Sequence, residues 1–410
     1  MKNFSKLLEK YAELTIKIGV NIQNNQTLVI NSPIECADFT RLLAKCAYNV
    51  GAKNVHVEWY DEQLLLIKYL NAPDETFKEF PKWKADQYEQ LAKEGAAFVS
   101  IAASNPELLK DVDPKKIADS RKASSIALKI FREYTMNSTV AWSVVSIPTK
   151  DWAKKVFSNL EEEAAVEELW KNIFNVVRID TDDPIEAWNN HLKNLNEKVE
   201  FLNNKKFNKL HFVSKDTDLT IELPEKHLWA GGGEYNAEKT YFVANMPTEE
   251  VFTLPLKHGV NGKVKSTKPL NFGGNLIDNF SLTFKNGKIV DFDAEKGYET
   301  LKKLIETDEG SHYLGEVALV PHNSPISNSN IIFYNTLFDE NASCHLAIGM
   351  AYPTCIEGGS DMNEKELEKA GANNSLTHVD FMIGSPELNV TGETKAGEKI
   401  QIFENGNWTF

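Results

Sequence analysis

Near residue 206 the pattern of this chain changes: before it, helix-spaced and strand-like segments alternate, and after it short strands divided by glycine and asparagine dominate. In the first part Phe4, Leu7, Leu8, Tyr11, Leu14 and Ile18 recur at helical spacing, QTLVIN (26–31) reads as a buried strand, Ile34 to Val50 is helical, and NVHVEWY (54–60) alternates as a strand does. AAFVSIAAS (96–104) and VAWSVVSIP (140–148) are two more strands, with helices around 112–134 and 160–177. Such a rhythm predicts crossover units on a parallel sheet. After a polar helix at 186–206 come KLHFVS, DLTIEL, KTYFVAN, SLTFKNGKIVDFD and GEVALV, with Asn286-Gly287 marking a hairpin turn. The expectation is an α/β N-terminal domain with a mostly parallel sheet over 1–206, then an α+β, strand-rich C-terminal domain over 207–410. A chain of 410 residues is too long for one ordinary core, which fits two domains.

Composition excludes several function classes. A net charge of −14 repels a phosphate backbone, and no lysine or arginine cluster overrides it, so nucleic acid is not expected as a partner. No run approaches the roughly 18 apolar residues of a membrane helix, and the opening MKNFSKLLEKYAELTIKIGV lacks a signal-peptide core. No membrane partner and a cytoplasmic location are expected. Cys36, Cys46, Cys344 and Cys355 contain no Cys-x-x-Cys pair and suggest neither a disulfide framework nor a cysteine zinc knuckle.

Chemistry is expected in the second half. Seven of the nine histidines lie there: His211, His227, His258, His312, His322, His345 and His378. Without thiolates, imidazoles and carboxylates are the ligands of divalent ions. In THVDFMIG (377–384) His378 and Asp380, two apart on an extended chain, share a face; the bland alternative is a hydrogen-bonded pair at a strand end. In FDENASCHLAIGMAYP (338–353) Glu340 and His345 flank a polar turn after the strand-like IIFYNTLF, and Cys344 reads as a small buried residue. GEVALVP (315–321) and MPTEEVFTLP (246–255) bury glutamates in apolar stretches, where Glu316 needs a cation, a donor network or a proton. Glu249 and Glu250 face opposite ways on an extended chain, so at most one enters a shared site. The chain has no Gly-x-Ser-x-Gly, no Gly-x-x-x-x-Gly-Lys and no His-Glu-x-x-His; Ala230-Gly231-Gly232-Gly233 reads as a flexible loop.

In order, PTEEVFT, GEVALV, the run from FDENASCH to AYP, and THVDFMIG resemble the metal-binding motifs of the thermophilic aminopeptidase family, the aminopeptidase T and aminopeptidase S type of metallo-exopeptidase. The resemblance extends from the opening LxKYAELTIKIGVNIQ to the closing Gly-Asn-Trp. It implies Glu250, Glu316, His345, His378 and Asp380 as ligands of two divalent ions, whether zinc, cobalt, manganese or magnesium. It gives Glu340 as a further ligand or the group that handles protons, and Tyr352 as a tyrosine beside the metals. It also implies a homodimer acting on peptides with a free N-terminus. Two ions ~3.5–4 Å apart share a hydroxide, lower its pKa and polarise the peptide carbonyl. Glu340 would take the proton from water and pass it to the leaving amine, and Tyr352 would donate to the oxyanion. Two other readings stay open: a dinuclear hydrolase of another amide or a phosphoester, and a non-catalytic metal- or peptide-binding protein. The motif segments lack the basic residues a phosphoester would call for, and structural metal sites are usually closed and sulfur-rich.

Overall fold

The computed structural model describes residues 3–273 and 275–410, and all counts below refer to these. They form two compact units. One comprises the chain through Lys193 with Gly233–Thr248 and Phe333–Leu337; the other comprises Asn194–Gly232, Glu249–Ile332 and Phe338–Phe410.

The first unit is built on a four-stranded parallel sheet, in the order Asn54–Tyr60, Thr27–Pro33, Ala97–Ile101, Trp142–Val145. The inner strand Thr27–Pro33 carries three consecutive apolar residues, Leu28, Val29 and Ile30, all buried, as helices on both faces of a parallel sheet require. Helix Ala37–Asn49 returns the chain between the first two strands and buries Phe39, Leu43 and Ala47. The expected mostly parallel α/β fold is thus observed. The strand-like IIFYNTLF is a correction, because no strand forms there. Tyr334 takes a left-handed backbone (φ 53°), Phe333 is fully buried with its carbonyl accepting from Trp152 Nε1 at 2.6 Å, and Thr336–Asp339 turns into a short helix. Its apolar residues serve packing without β pairing.

The second unit holds two antiparallel sheets. The larger, nine-stranded sheet includes Phe207–Ser214, Thr217–Glu222 and the long hairpin Asn275–Lys285/Lys288–Lys296, whose turn carries Asn286 and Gly287 at positive φ as expected. The smaller sheet has the order His378–Met382, His345–Gly349, Leu314–Leu319, Val251–Thr253, Ala230–Gly231. One face of this sheet, with Val251, Val317, Leu319, Leu346, Ile348 and Phe381, joins Phe207, Phe212, Leu219, Ile221 and Phe280 of the larger sheet in one apolar core. Burying each such side chain contributes about 1.5–3 kcal/mol, which fixes the register of the small sheet. The glycine run 230–233 is a second correction: Ala230–Gly231 is an edge strand, where a Cβ on Gly231 would lie 2.6 Å from the Glu250 carbonyl oxygen. Among the described residues no helix is long and apolar enough to cross a membrane.

Candidate metal centre

Alternation along the small sheet sends every second residue away from the core. Glu316 pairs with Ala347, which pairs with Asp380 on its other side; His345 pairs with Ala318, Gly349 with His378, and Ala318 with Phe252. Paired residues share a face. Two residues before Phe252, Glu250 therefore falls on the same face as Glu316, His345, His378 and Asp380, while Val251, Val317, Leu346 and Phe381 enter the core. Four segments far apart in sequence thus meet on one surface of one sheet.

There the side chains fall into two groups that share one carboxylate. Glu250, Glu316 and His345 form one, and Glu316, His378 and Asp380 the other; in each group the donor atoms lie within 4.8 Å of one another. His345 Nε2 is 3.0 Å from Glu250 Oε2 and 3.5 Å from Glu316 Oε1. His378 Nε2 is 3.4 Å from Glu316 Oε2 and 3.5 Å from Asp380 Oδ1. Glu316 accordingly turns one oxygen toward each imidazole.

Backbone carbonyls set both imidazoles. His345 Nδ1 donates to the Ser343 carbonyl at 3.1 Å, and His378 Nδ1 donates to the Met350 carbonyl at 2.7 Å. Each ring is left with Nε2 facing the carboxylates, the orientation in which an imidazole coordinates a metal.

Without a cation the cluster must share protons. Burial pushes the Glu340 carboxyl up, and the charges of Asp380 and Glu250 push it further, well above the usual carboxylate range. Burial also raises Glu250, against the pull of His345. For His345 burial acts downward, but its bonds to Glu250 and Glu316 prevail and hold the imidazolium well above its ordinary range. His378 follows the same pattern, with Asp380 as its main support. Burial works against ionised Asp380, yet the charge of His378 holds its carboxyl low. Asp380 Oδ1 is buried and has no hydrogen-bond partner among the described residues. Imidazole nitrogens and carboxylate oxygens, packed where their charge needs compensation, are a donor set that fits a divalent cation.

The remaining expected residues lie around this cluster. Glu340 opens a short 3₁₀ turn (Glu340–Ala342) and is buried; it lies outside both donor groups but within reach of the charges of Asp380, Glu250 and Glu316. Tyr352 sets its ring edge-on to His378, with centroids 5.0 Å apart, and also packs on Phe252. Glu249 is buried, and its backbone N–H donates to Asn341 Oδ1 at 2.8 Å. Cys344 belongs to the apolar core, with burial pushing its thiol up to about 11, so it is no nucleophile. Sequence reasoning missed the carbonyls of Ser343 and Met350, and Asn341. Only Asn341 carries a sequence signal, as the polar residue next to Glu340.

Buried imidazoles and carboxylates converging on one face of a sheet are the donor set of a metal-dependent hydrolase. The chain belongs to the thermophilic metalloprotease (M29) family, whose model matches residues 4–408. It is 55% identical to Aminopeptidase AmpS of Bacillus subtilis over 410 residues, all of both chains. It is 43% identical to Aminopeptidase PepS of Streptococcus thermophilus over 409 residues, 100% of this chain and 99% of that one. The solved structure of wild-type AmpT from Thermus thermophilus superposes with a TM-score of 0.92 at 40% identity, covering 99% of this chain and 100% of that one. The family resemblance carried by the four motifs is borne out.

Proposed function

We propose that this protein is a metal-dependent aminopeptidase that holds two divalent ions and removes the N-terminal residue of peptides. The observation that carries the two-ion reading is Glu316, with one oxygen toward His345 and the other toward His378. Glu250 and His345 would complete one position, and His378 and Asp380 the other. The names of the relatives, all aminopeptidases, favour a peptide over a phosphoester, and domain 207–410 would be catalytic.

When bound, the ions supply Lewis acidity to the attacking water and to the scissile carbonyl. The Ser343 and Met350 carbonyls keep the two imidazoles from turning away. Glu340, whose carboxyl is pushed up by burial and then by the charges of Asp380 and Glu250 when no cation is present, would ionise beside the bound cations, take the proton of the attacking water and return it to the departing amine. Its position outside both donor groups supports the proton-handling role over that of a ligand. Tyr352, beside His378, donates its hydroxyl hydrogen to the carbonyl oxygen as charge develops there. Zinc, cobalt, manganese and magnesium all suit such ligands.

The test is hydrolysis of a free and an N-acetylated leucyl peptide by chelator-stripped protein, before and after adding each metal. Metal-restored cleavage of the free peptide alone is expected, and cleavage of neither would end the proposal. The family resemblance also supports a homodimer, to be read from mass by light scattering; a cytoplasmic location is proposed from the sequence alone, to be read by fractionation.

A further inference from the structure

We propose that Gly315 is a positioning residue that aims His378, a ligand of one ion site only, through the Met350 carbonyl; this rests on the two-ion reading above. Leu314 pairs with Ile348, but Glu316 pairs with Ala347, so two steps on one strand oppose a single step on the other and Gly315 is the extra residue of a β-bulge. Leu314 and Ile348 both lie in the apolar core. In a regular strand Leu314 and Glu316, two apart, would face the same way, and the carboxylate would enter that core. The bulge turns Glu316 toward the imidazoles.

Gly315 has a second effect, through space. An added Cβ would lie 2.2 Å from the Met350 carbonyl oxygen, 2.4 Å from its carbon and 2.5 Å from the Gly349 carbonyl oxygen, all backbone atoms with nowhere to swing. The φ of Gly315 is outside the left-handed region, so the glycine is required by space and not by backbone torsion. The Met350 oxygen is the acceptor that holds His378 Nδ1 at 2.7 Å. His345 hangs instead on Ser343, and the three atoms nearest an added Cβ belong to Met350 and Gly349. Alanine at 315 keeps the residue count of the bulge, so Glu316 still faces the site, but it displaces the carbonyl that aims His378. One ion position suffers and the other does not.

Equilibrium dialysis of the full-length protein against zinc, with metal analysis and circular dichroism, reads this directly. Wild type should take up two zinc ions. Gly315→Ala, if it folds, should retain one at unchanged affinity and bind the other about 10–100-fold more weakly, the usual cost of losing a partner that orients a ligand. Two ions at wild-type affinity, or equal weakening of both, would overturn the proposal. If Gly315→Ala does not fold, nitrogen-edited imidazole spectra of zinc-loaded wild type decide. A slowly exchanging proton on His378 Nδ1 with zinc at Nε2 supports the proposal, and zinc at Nδ1 refutes it. Uptake of one ion by wild type removes the two-ion reading itself, a failure visible without any variant, and the proposal falls with it.

Discussion

Ala347 stands directly across from Glu316 on the adjacent strand, and directly across from Asp380 on the other side. Its methyl is all that the central strand presents between the two carboxylates, whose Cβ atoms flank it at ~4.5–5.5 Å, the usual spacing of paired residues. A larger side chain there would occupy the volume proposed for the ions. Ala347→Leu is therefore expected to cut bound zinc from two ions to less than one. Overpacking typically costs about 1–3 kcal/mol, within what a domain of this size withstands. Metal analysis beside a thermal melt checks it, and full metal with normal turnover would return Ala347 to ordinary packing.

Glu316→Gln and Asp380→Asn should differ. Glu316 serves both donor groups and Asp380 only one, so the first substitution should abolish uptake of both ions while the second leaves the position of Glu250 and His345 filled. Each should lower kcat/KM by at least about 100-fold. In chelator-treated protein both substitutions should lower the melting temperature, Glu316→Gln the more, because Glu316 faces two imidazoles and Asp380 one, and removing one partner of a buried ion pair is destabilising. Equal metal content in the two variants would show that Glu316 does not bridge.

Much of this centre was legible in the sequence because strands enforce it. The period of two places His378 and Asp380 together, and the same alternation separates Glu250 from Glu249, a choice that local sequence left open until the pairing of Val251 with Leu319 fixed the parity. The parallel sheet was legible for a similar reason, since QTLVIN and AAFVSIAAS are runs that only a doubly covered sheet hides. What could not be read were backbone contributions. The carbonyl of Met350 meets His378 across 28 residues, and the bulge at Gly315 exists only relative to the partner strand. IIFYNTLF misled because burial of Phe333 beside Trp152 demands hydrophobicity without demanding a strand.

The pH dependence of the metal-free protein follows from the shifted groups. His345, His378, Glu250 and Glu340 all have pKa values raised on folding, so the folded state holds their protons more tightly than the unfolded chain does. Their contribution is complete below the unfolded values, near 4.5 for the glutamates and 6.5 for the histidines, and is lost as pH rises through the folded ones. Asp380 is shifted down, so it acts oppositely, but only as pH falls below about 3.8. Between pH 5.5 and 8 the chelated protein should therefore lose stability from this cluster while zinc, which displaces the protons, binds more tightly. The gap in Tm between zinc-loaded and chelated protein should widen across that range. A gap that narrows would place the titrating groups elsewhere.

Tyr352 and Glu340 are assigned to the reaction and not to holding ions, so their loss should separate rate from metal content. Tyr352→Phe removes a hydroxyl but keeps the ring that packs on His378 and Phe252, and loss of one oxyanion donor lowers kcat by about 100–1,000-fold. Glu340→Gln should cost about 100–10,000-fold in kcat by removing the proton carrier. In both, zinc stoichiometry should stay at two, with KM little changed for Tyr352→Phe because its contact forms mainly in the transition state. A drop in bound zinc on Glu340→Gln would make that carboxylate a ligand, leaving the proton to be carried by another group.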